Sequence, residues 1–124
     1  MRDQTLWTWH VAAGVVVLVF LGLHMATMHV DAILGLFNRP GTEAIDWTNV
    51  VERARRTFYL LTYLVLLGAA LFHGLYGLRN ILFELNPGAG LKKGLSVLLV
   101  IAGVGLFGLG TWAAWASFGL ARAL

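Results

Sequence analysis

The sequence has no cysteine and little charge, and each shortage excludes a class of function. Without cysteine, the chain supplies neither disulfides nor thiolate ligands for an iron–sulfur cluster or a cysteine-type zinc site. Only 12% of the 124 residues are charged, whereas a soluble domain has about 25%. Because 59% of the residues are hydrophobic, we exclude a soluble enzyme and predict a membrane protein with a single domain over residues 1–124.

Three apolar stretches are long enough to cross a bilayer, whose hydrocarbon core of about 30 Å needs roughly 20 helical residues. They cover about residues 6–30, 57–83 and 95–118. The nine Lys and Arg residues outnumber the six Asp and Glu residues. Because the chain is so apolar, we interpret this excess as basic residues at the ends of the spans that contact lipid headgroups, rather than as a nucleic-acid-binding surface. The predicted fold class is all-α, an integral membrane protein with three transmembrane helices.

The connections between the spans carry turn and helix signals. A Pro-Gly turn at Pro40 and an amphipathic helix over about residues 46–56, starting from an Asp46 cap, precede the second span. The Asn-Pro-Gly sequence that begins at Asn86 is expected to end that span after Asn86. Two lysines then mark the membrane surface before the third span.

The third span carries small residues along one stripe. These residues are Ser96, Gly103, Gly110, Ala114 and Ala121. A stripe of this kind lets another helix approach closely, so it predicts a packing surface. It also leaves room for association with a further copy or chain.

Three histidines lie within or near the apolar parts of the first two spans: His10, His24 and His73. Histidine inside a bilayer is costly unless it faces a partner. His10 and His24 share one face of the first span because they lie two heptads apart, and Asp31 extends that face. His29 points away from it and is expected at the headgroup level.

His73 shares a stripe of the second span with small and polar residues. Ala69 and Gly77 lie one turn before and after it, and Asn80 and Glu84 follow on the same stripe. The small residues would leave a flat clearing for a porphyrin whose iron His73 ligates. The alternative is a hydrogen bond from His73 to a neighbouring helix.

The depths of His24 and His73 bear on whether they could bind the same iron. With the rise per residue of an α-helix, His24 lies about 26 Å along the first span from Trp7, and His73 lies about 16 Å from Glu84. The resulting offset of about 10 Å disfavours one shared haem. Each histidine is therefore expected to take its partner ligand from another chain.

The run His73–Glu84, HGLYGLRNILFE, resembles the second transmembrane helix of the cytochrome b membrane-anchor subunits of succinate dehydrogenase and fumarate reductase. These subunits belong to the succinate:quinone oxidoreductases, respiratory complex II. They carry a histidine, a glycine four residues later, often an arginine two beyond that, and an acidic residue eleven after the histidine. Gly14 and His24 are similar to the first-helix pattern of members with two haems. The resemblance covers the whole three-span architecture.

The resemblance implies a haem b-binding anchor that forms half of a helical bundle, completed by a sister anchor. His73 and His24 would be axial ligands of one or two haem b groups, with Ala69, Gly77 and Arg79 near the haem. The chain would not be catalytic alone. It would dock a flavoprotein subunit and an iron–sulfur subunit, and it would support electron transfer from succinate to quinone in the cytoplasmic membrane of a prokaryote.

The resemblance also implies a quinone site close to the end of the bundle that carries the N-terminus. His10, Asn80 and Glu84 would be its neighbours on this chain. We expect Glu84 to face the bundle interior and to relay protons to quinone. The alternative is an ion pair between Glu84 and Lys92 or Lys93. The sister anchor and the iron–sulfur subunit are expected to supply much of the pocket.

Two other classes of function stay open. A bacteriochlorophyll-binding subunit would need one imidazole on magnesium, which His73 beside Ala69 could supply. A purely structural subunit or small transporter would use its histidines in hydrogen bonds between helices. A pyridine haemochrome assay on the purified complex separates these classes from the haem-binding anchor.

Overall fold

The computed structural model describes residues 2–30 and 41–124, and its long elements are helices. In chain order they are α1 (Arg2–Met25), a π-helical turn (Ala26–Val30), α2 (Trp47–Ala54), α3 (Thr57–Glu84) and α4 (Ala89–Ala123). Three helical stretches of the described residues are long and apolar enough to cross a membrane: Gln4–Val30, Thr57–Glu84 and Ala89–Ala123. The predicted all-α membrane fold is confirmed. The turn at Pro40 and the position of Asp31 lie outside the described residues.

The break between α3 and α4 lies slightly earlier than predicted. Helix α3 ends at Glu84 rather than after Asn86, because Asn86 adopts a left-handed backbone conformation with φ of 50°. Asparagine tolerates this conformation better than most residues, and the following proline disfavours helix at Asn86. Helix α4 begins at Ala89 instead of near residue 95, so Lys92 lies in its first turns.

Helix α2 is anchored by hydrogen bonds at both ends. Asp46 occupies the N-cap position as predicted, but its carboxylate makes no cap bond to the helix; it accepts the backbone N–H of Glu43 at 2.9 Å. The buried Asn49 amide donates to the Thr42 hydroxyl and to the Glu43 carbonyl, each at 2.8 Å. Beyond the helix, the Arg55 guanidinium donates to the carbonyl oxygen of Ala121 at 2.7 Å, which joins the connector to the end of α4.

The three long helices form a single layer with α3 in the middle. Helix α3 packs against α1 on one side and α4 on the other, and among the described residues α1 and α4 do not contact each other. Neighbouring helices run in opposite directions, since the connections place their ends alternately on the two sides. The centre of the packing is therefore α3, and the register of each outer helix is set by its contact with α3.

The small-residue stripe of α4 faces α3 of the same chain. A Cβ at Gly110 would stand 2.5 Å from Leu67 Cδ2, and one at Gly103 would stand 3.0 Å from Leu75 Cδ1. Ser96, on the same stripe, accepts a hydrogen bond from Arg79 of α3 at 3.2 Å. The predicted packing role of the stripe is confirmed. Association with a further copy or chain through this stripe stays a prediction.

Most side chains of the layer remain accessible within this chain. Of the described residues, only Leu60, Asn49 and Ala121 are buried. Large apolar residues such as Leu18 and Val104 are 72% and 70% exposed, far from what a water-soluble core requires. Lipid or further helices must cover both faces of the layer.

The packing of α4 on α3 generates a paired test. We expect Gly110→Leu to destabilise the purified protein by about 1–3 kcal/mol, because the new side chain has no space beside Leu67. Gly108→Leu is the matched control, since no atom lies within 4 Å of a Cβ built there. Thermal unfolding in detergent should show a lower Tm for the first variant only. Equal Tm values would contradict this α3–α4 contact.

Candidate functional site

Two histidines and two glycines form the centre of the contact between α1 and α3. Each helix carries a histidine followed four residues later by glycine: His10 and Gly14 on α1, and His73 and Gly77 on α3. Because the helices are antiparallel, each imidazole lies against the glycine of the other helix. A Cβ at Gly14 would stand 2.9 Å from His73 Cε1, and one at Gly77 would stand 3.2 Å from His10 Cε1. Glycine at both positions makes room for both rings.

The two imidazole rings stack and share a hydrogen bond with the backbone. Their centroids lie 4.2 Å apart with an interplanar angle of 3°. The Nδ1 atom of His73 lies 3.0 Å from the carbonyl oxygen of His10. Since a carbonyl only accepts, Nδ1 of His73 carries the hydrogen and donates it. The Nδ1 atom of His10 is buried without a hydrogen-bond partner among the described residues.

The second ring nitrogen of His73, Nε2, has the chemistry that a metal ligand requires. With the hydrogen on Nδ1, Nε2 keeps its lone pair. Histidines that bind metals usually donate their other N–H to a carbonyl or carboxylate in this way. His73 therefore fits the requirements of an axial haem ligand.

His10 and His73 do not fit as two ligands of one iron. Their rings lie face to face, whereas two axial ligands point their nitrogens at the iron from opposite sides of the porphyrin. The expected flat clearing at Gly77 is also absent within this chain, because the His10 ring fills the space beside it. Among the described residues, no three His, Cys, Asp or Glu side chains gather as a metal site.

The depth predicted for His24 is wrong. Gly14 lies level with His73 and Gly77 lies level with His10. His24 follows Gly14 by ten residues, which corresponds to about 15 Å along the helix axis rather than about 10 Å. The prediction treated Trp7 and Glu84 as level, but Glu84 lies seven residues beyond Gly77 whereas Trp7 lies only three residues beyond His10. His24 thus lies near the end of the layer where α3 begins, whereas His73 lies close to the middle of α3.

His24 lines a cavity of about 630 Å³ at this end of the layer. Its floor is the first part of α3, its walls come from α1 and α4, and Arg53 of α2 lines its outer end. Tyr59 and Tyr63 supply hydroxyl groups in a lining that is otherwise largely apolar. A volume in this range is typical of sites for small molecules.

The backbone of the first span widens next to His24. The π-helical turn begins at Ala26, and the Thr27 hydroxyl donates to the His24 carbonyl at 3.0 Å. Such turns occur frequently at functional sites, and no feature of the sequence predicted this one. His29 lies on the turn and is exposed.

Arg79 provides an unpaired cation near the histidine pair. It is half-buried, and its guanidinium lies 4.2 Å from the centre of the Phe83 ring. It donates to the Ser96 hydroxyl at 3.2 Å and to the Asn80 side-chain oxygen at 3.4 Å. No carboxylate of the described residues pairs with it. The group can bind an anion from outside the chain, and Arg suits a carboxylate in particular.

Glu84 lies at the end of α3 and is exposed, so within this chain it does not face an interior as expected. It forms no ion pair with Lys92 or Lys93 in the described part of the chain. Lys92 instead donates to the Asn86 side-chain oxygen at 3.4 Å. The Glu84 carboxylate therefore remains open to a partner from outside the chain.

The sequence is similar to a membrane anchor subunit from an archaeon. The chain is 27% identical over 96 residues to the succinate dehydrogenase hydrophobic membrane anchor subunit of Archaeoglobus fulgidus, in an alignment covering 77% of this chain and 74% of that protein. No protein-family model matches the chain, and no solved structure matches it. The similarity supports the family of succinate dehydrogenase membrane anchors.

Proposed function

We propose that the chain is the haem b-binding membrane anchor of a succinate:quinone oxidoreductase. The observation that carries the proposal is the bond from His73 Nδ1 to the His10 carbonyl, which leaves Nε2 available for iron. The similarity to an archaeal succinate dehydrogenase anchor supports the same assignment. When bound, haem b would supply one-electron transfer between the iron–sulfur subunit and quinone.

Three side chains of this chain would hold the haem and its partners in place. His73 would ligate the iron, and Arg79 would hold a haem propionate, because it is a half-buried cation without a carboxylate partner among the described residues. Ala69, half-buried one turn before His73, would pack near the ring. The second axial ligand would come from a sister anchor that covers an exposed face of the layer.

His24 would serve a second haem b at the other end of the layer. The support is the cavity around it, which combines an imidazole, apolar walls and the Arg53 cation. As with His73, the partner ligand would come from the sister anchor. Separation along the helix by about 15 Å would make the two haems independent binding sites.

The quinone site would lie at the end that carries the histidine pair and α3's C-terminus. His10 has a buried nitrogen without a partner among the described residues, and Glu84 has an open carboxylate. Along the layer, Asn80 lies between His10 and Glu84, and its side-chain oxygen accepts a hydrogen bond from Arg79. Reduction of quinone needs two protons, which such groups can relay. The flavoprotein and iron–sulfur subunits would dock at this end, on the membrane of a prokaryotic cell.

A purely structural subunit is the second candidate. One observation favours it: His73 already has a hydrogen bond to the neighbouring helix, which is what a packing histidine requires. The two functions differ in what the loss of His73 removes. A packing histidine contributes stability, whereas a ligand also contributes bound haem.

His73→Ala is expected to remove one haem b per complex while the chain still inserts, because the axial ligand is lost and the hydropathy of α3 hardly changes. Pyridine haemochrome analysis and the reduced absorption spectrum measure the loss. Unchanged haem content would exclude His73 as a ligand and leave the structural function.

His24→Ala should abolish a second redox component and spare the one that depends on His73, since the two sites lie far apart. His29→Ala is the matched control, because His29 lies on the π-helical turn and does not line the cavity. Redox titration of the haem spectrum resolves the components. A wild-type complex with one haem and a single potential would remove His24 from the ligand set.

Glu84→Gln should slow succinate:quinone turnover several-fold, because the amide cannot relay a proton. Succinate oxidation with an artificial acceptor and the haem spectrum should stay intact. Glu52→Gln serves as the control, because it removes the same charge from α2, at the opposite end of the layer from Glu84. Unchanged quinone turnover across the pH range would exclude Glu84 from the quinone site.

A further inference from the structure

We infer that Gly14 and the His10 carbonyl are positioning elements that select Nε2 of His73 as the iron ligand. The inference rests on the proposed function and adds to it two groups on a different helix from the ligand. Neither group would touch haem. The His10 carbonyl acts on His73 through the 3.0 Å hydrogen bond with Nδ1. Gly14 acts on it because the missing side chain leaves space for the ring.

The His10 carbonyl and Gly14 belong to the same turn of α1. In an α-helix the carbonyl of residue 10 accepts the N–H of residue 14. A carbonyl oxygen has two lone pairs, so this one can also accept the imidazole N–H of His73. Access to that carbonyl from α3 passes over residue 14, and a side chain there would obstruct the approach. Because residue 14 is glycine, the imidazole of His73 can reach the carbonyl oxygen of His10.

The available space does not allow His73 to adjust to a larger residue 14. A Cβ would stand 2.9 Å from Cε1 and 3.0 Å from Nδ1 of His73, closer than carbon and nitrogen atoms normally approach. The stacked His10 ring occupies one face of His73 at 4.2 Å between centroids. Displacement of His73 from Gly14 therefore lengthens the bond from Nδ1 to the carbonyl, and the ring is then free to rotate.

The consequence for ligation is a fixed tautomer and a fixed ring plane. Hydrogen bonding of the second nitrogen sets which nitrogen binds a metal, orients the ring and raises its basicity as a ligand. Mutation of such supporting groups typically costs 10- to 100-fold in metal affinity or activity. The haem that His73 binds should therefore depend on Gly14.

The first test compares two glycines of α1 in the complete, purified complex. Gly14→Ala should lower the haem content at least several-fold, or shift the midpoint potential and the highest EPR g value of the retained haem. Gly22→Ala is the matched control, because no atom lies within 4 Å of a Cβ built at Gly22. It should match wild type in all three measurements.

The outcomes separate this inference from the proposed function. If His73→Ala loses haem while Gly14→Ala keeps wild-type haem content, potential and g value, the positioning role is wrong and the ligand assignment stands. If His73→Ala keeps its haem, the proposed function itself has failed.

A second variant decides the question if Gly14→Ala does not assemble. In a His73→Gly complex, added imidazoles can occupy the vacated space and ligate iron. 4-Methylimidazole retains an N–H for the His10 carbonyl, whereas its isomer 1-methylimidazole does not. We expect the low-spin haem spectrum to return at roughly fivefold lower concentration of 4-methylimidazole, from the contribution of one hydrogen bond. Equal rescue by the two isomers would overturn the inference.

Discussion

The packing of two imidazoles on two glycines, across α1 and α3, is the contact on which the rest of the chain depends. Apolar helices in lipid gain little from burying apolar surface against each other, so close backbone approach and hydrogen bonds decide how they associate. His10 and His73 provide both at one point. A shift of either helix by one turn would place an imidazole on residues that carry a Cβ. The contact therefore fixes the register of α1 against α3.

The register determines what lies at each end of the layer. The histidine pair lies toward the end that carries Arg79 and Glu84, and the cavity around His24 lies toward the other end. Helix α4 completes the layer through glycines that face α3, and it leaves the two broad faces exposed. The layer thus has functional groups toward both ends and two uncovered faces. Such a layer, with α3 in its middle, is suited to form half of a larger helical bundle.

The sequence predicts the helices well because length and hydropathy determine them, and Asn86 with the following proline marks a boundary to within two residues. It does not predict the relative depth of the helices, because the two reference residues, Trp7 and Glu84, lie at different distances from the contact between α1 and α3. That error moved His24 by about 5 Å relative to His73. The repeated histidine–glycine spacing, at His10 and again at His73, was the signal that could have set the register. The π-helical turn carries no comparable signal.

An experimental structure of the complete complex, determined by electron cryo-microscopy at a resolution that shows the imidazole planes, tests the central claim most directly. The account predicts that Nε2 of His73 coordinates a haem iron while Nδ1 remains about 3.0 Å from the carbonyl oxygen of His10, with the ring lying on Gly14. A His73 side chain that is remote from any haem, or that binds iron without a hydrogen bond from Nδ1 to α1, would contradict it.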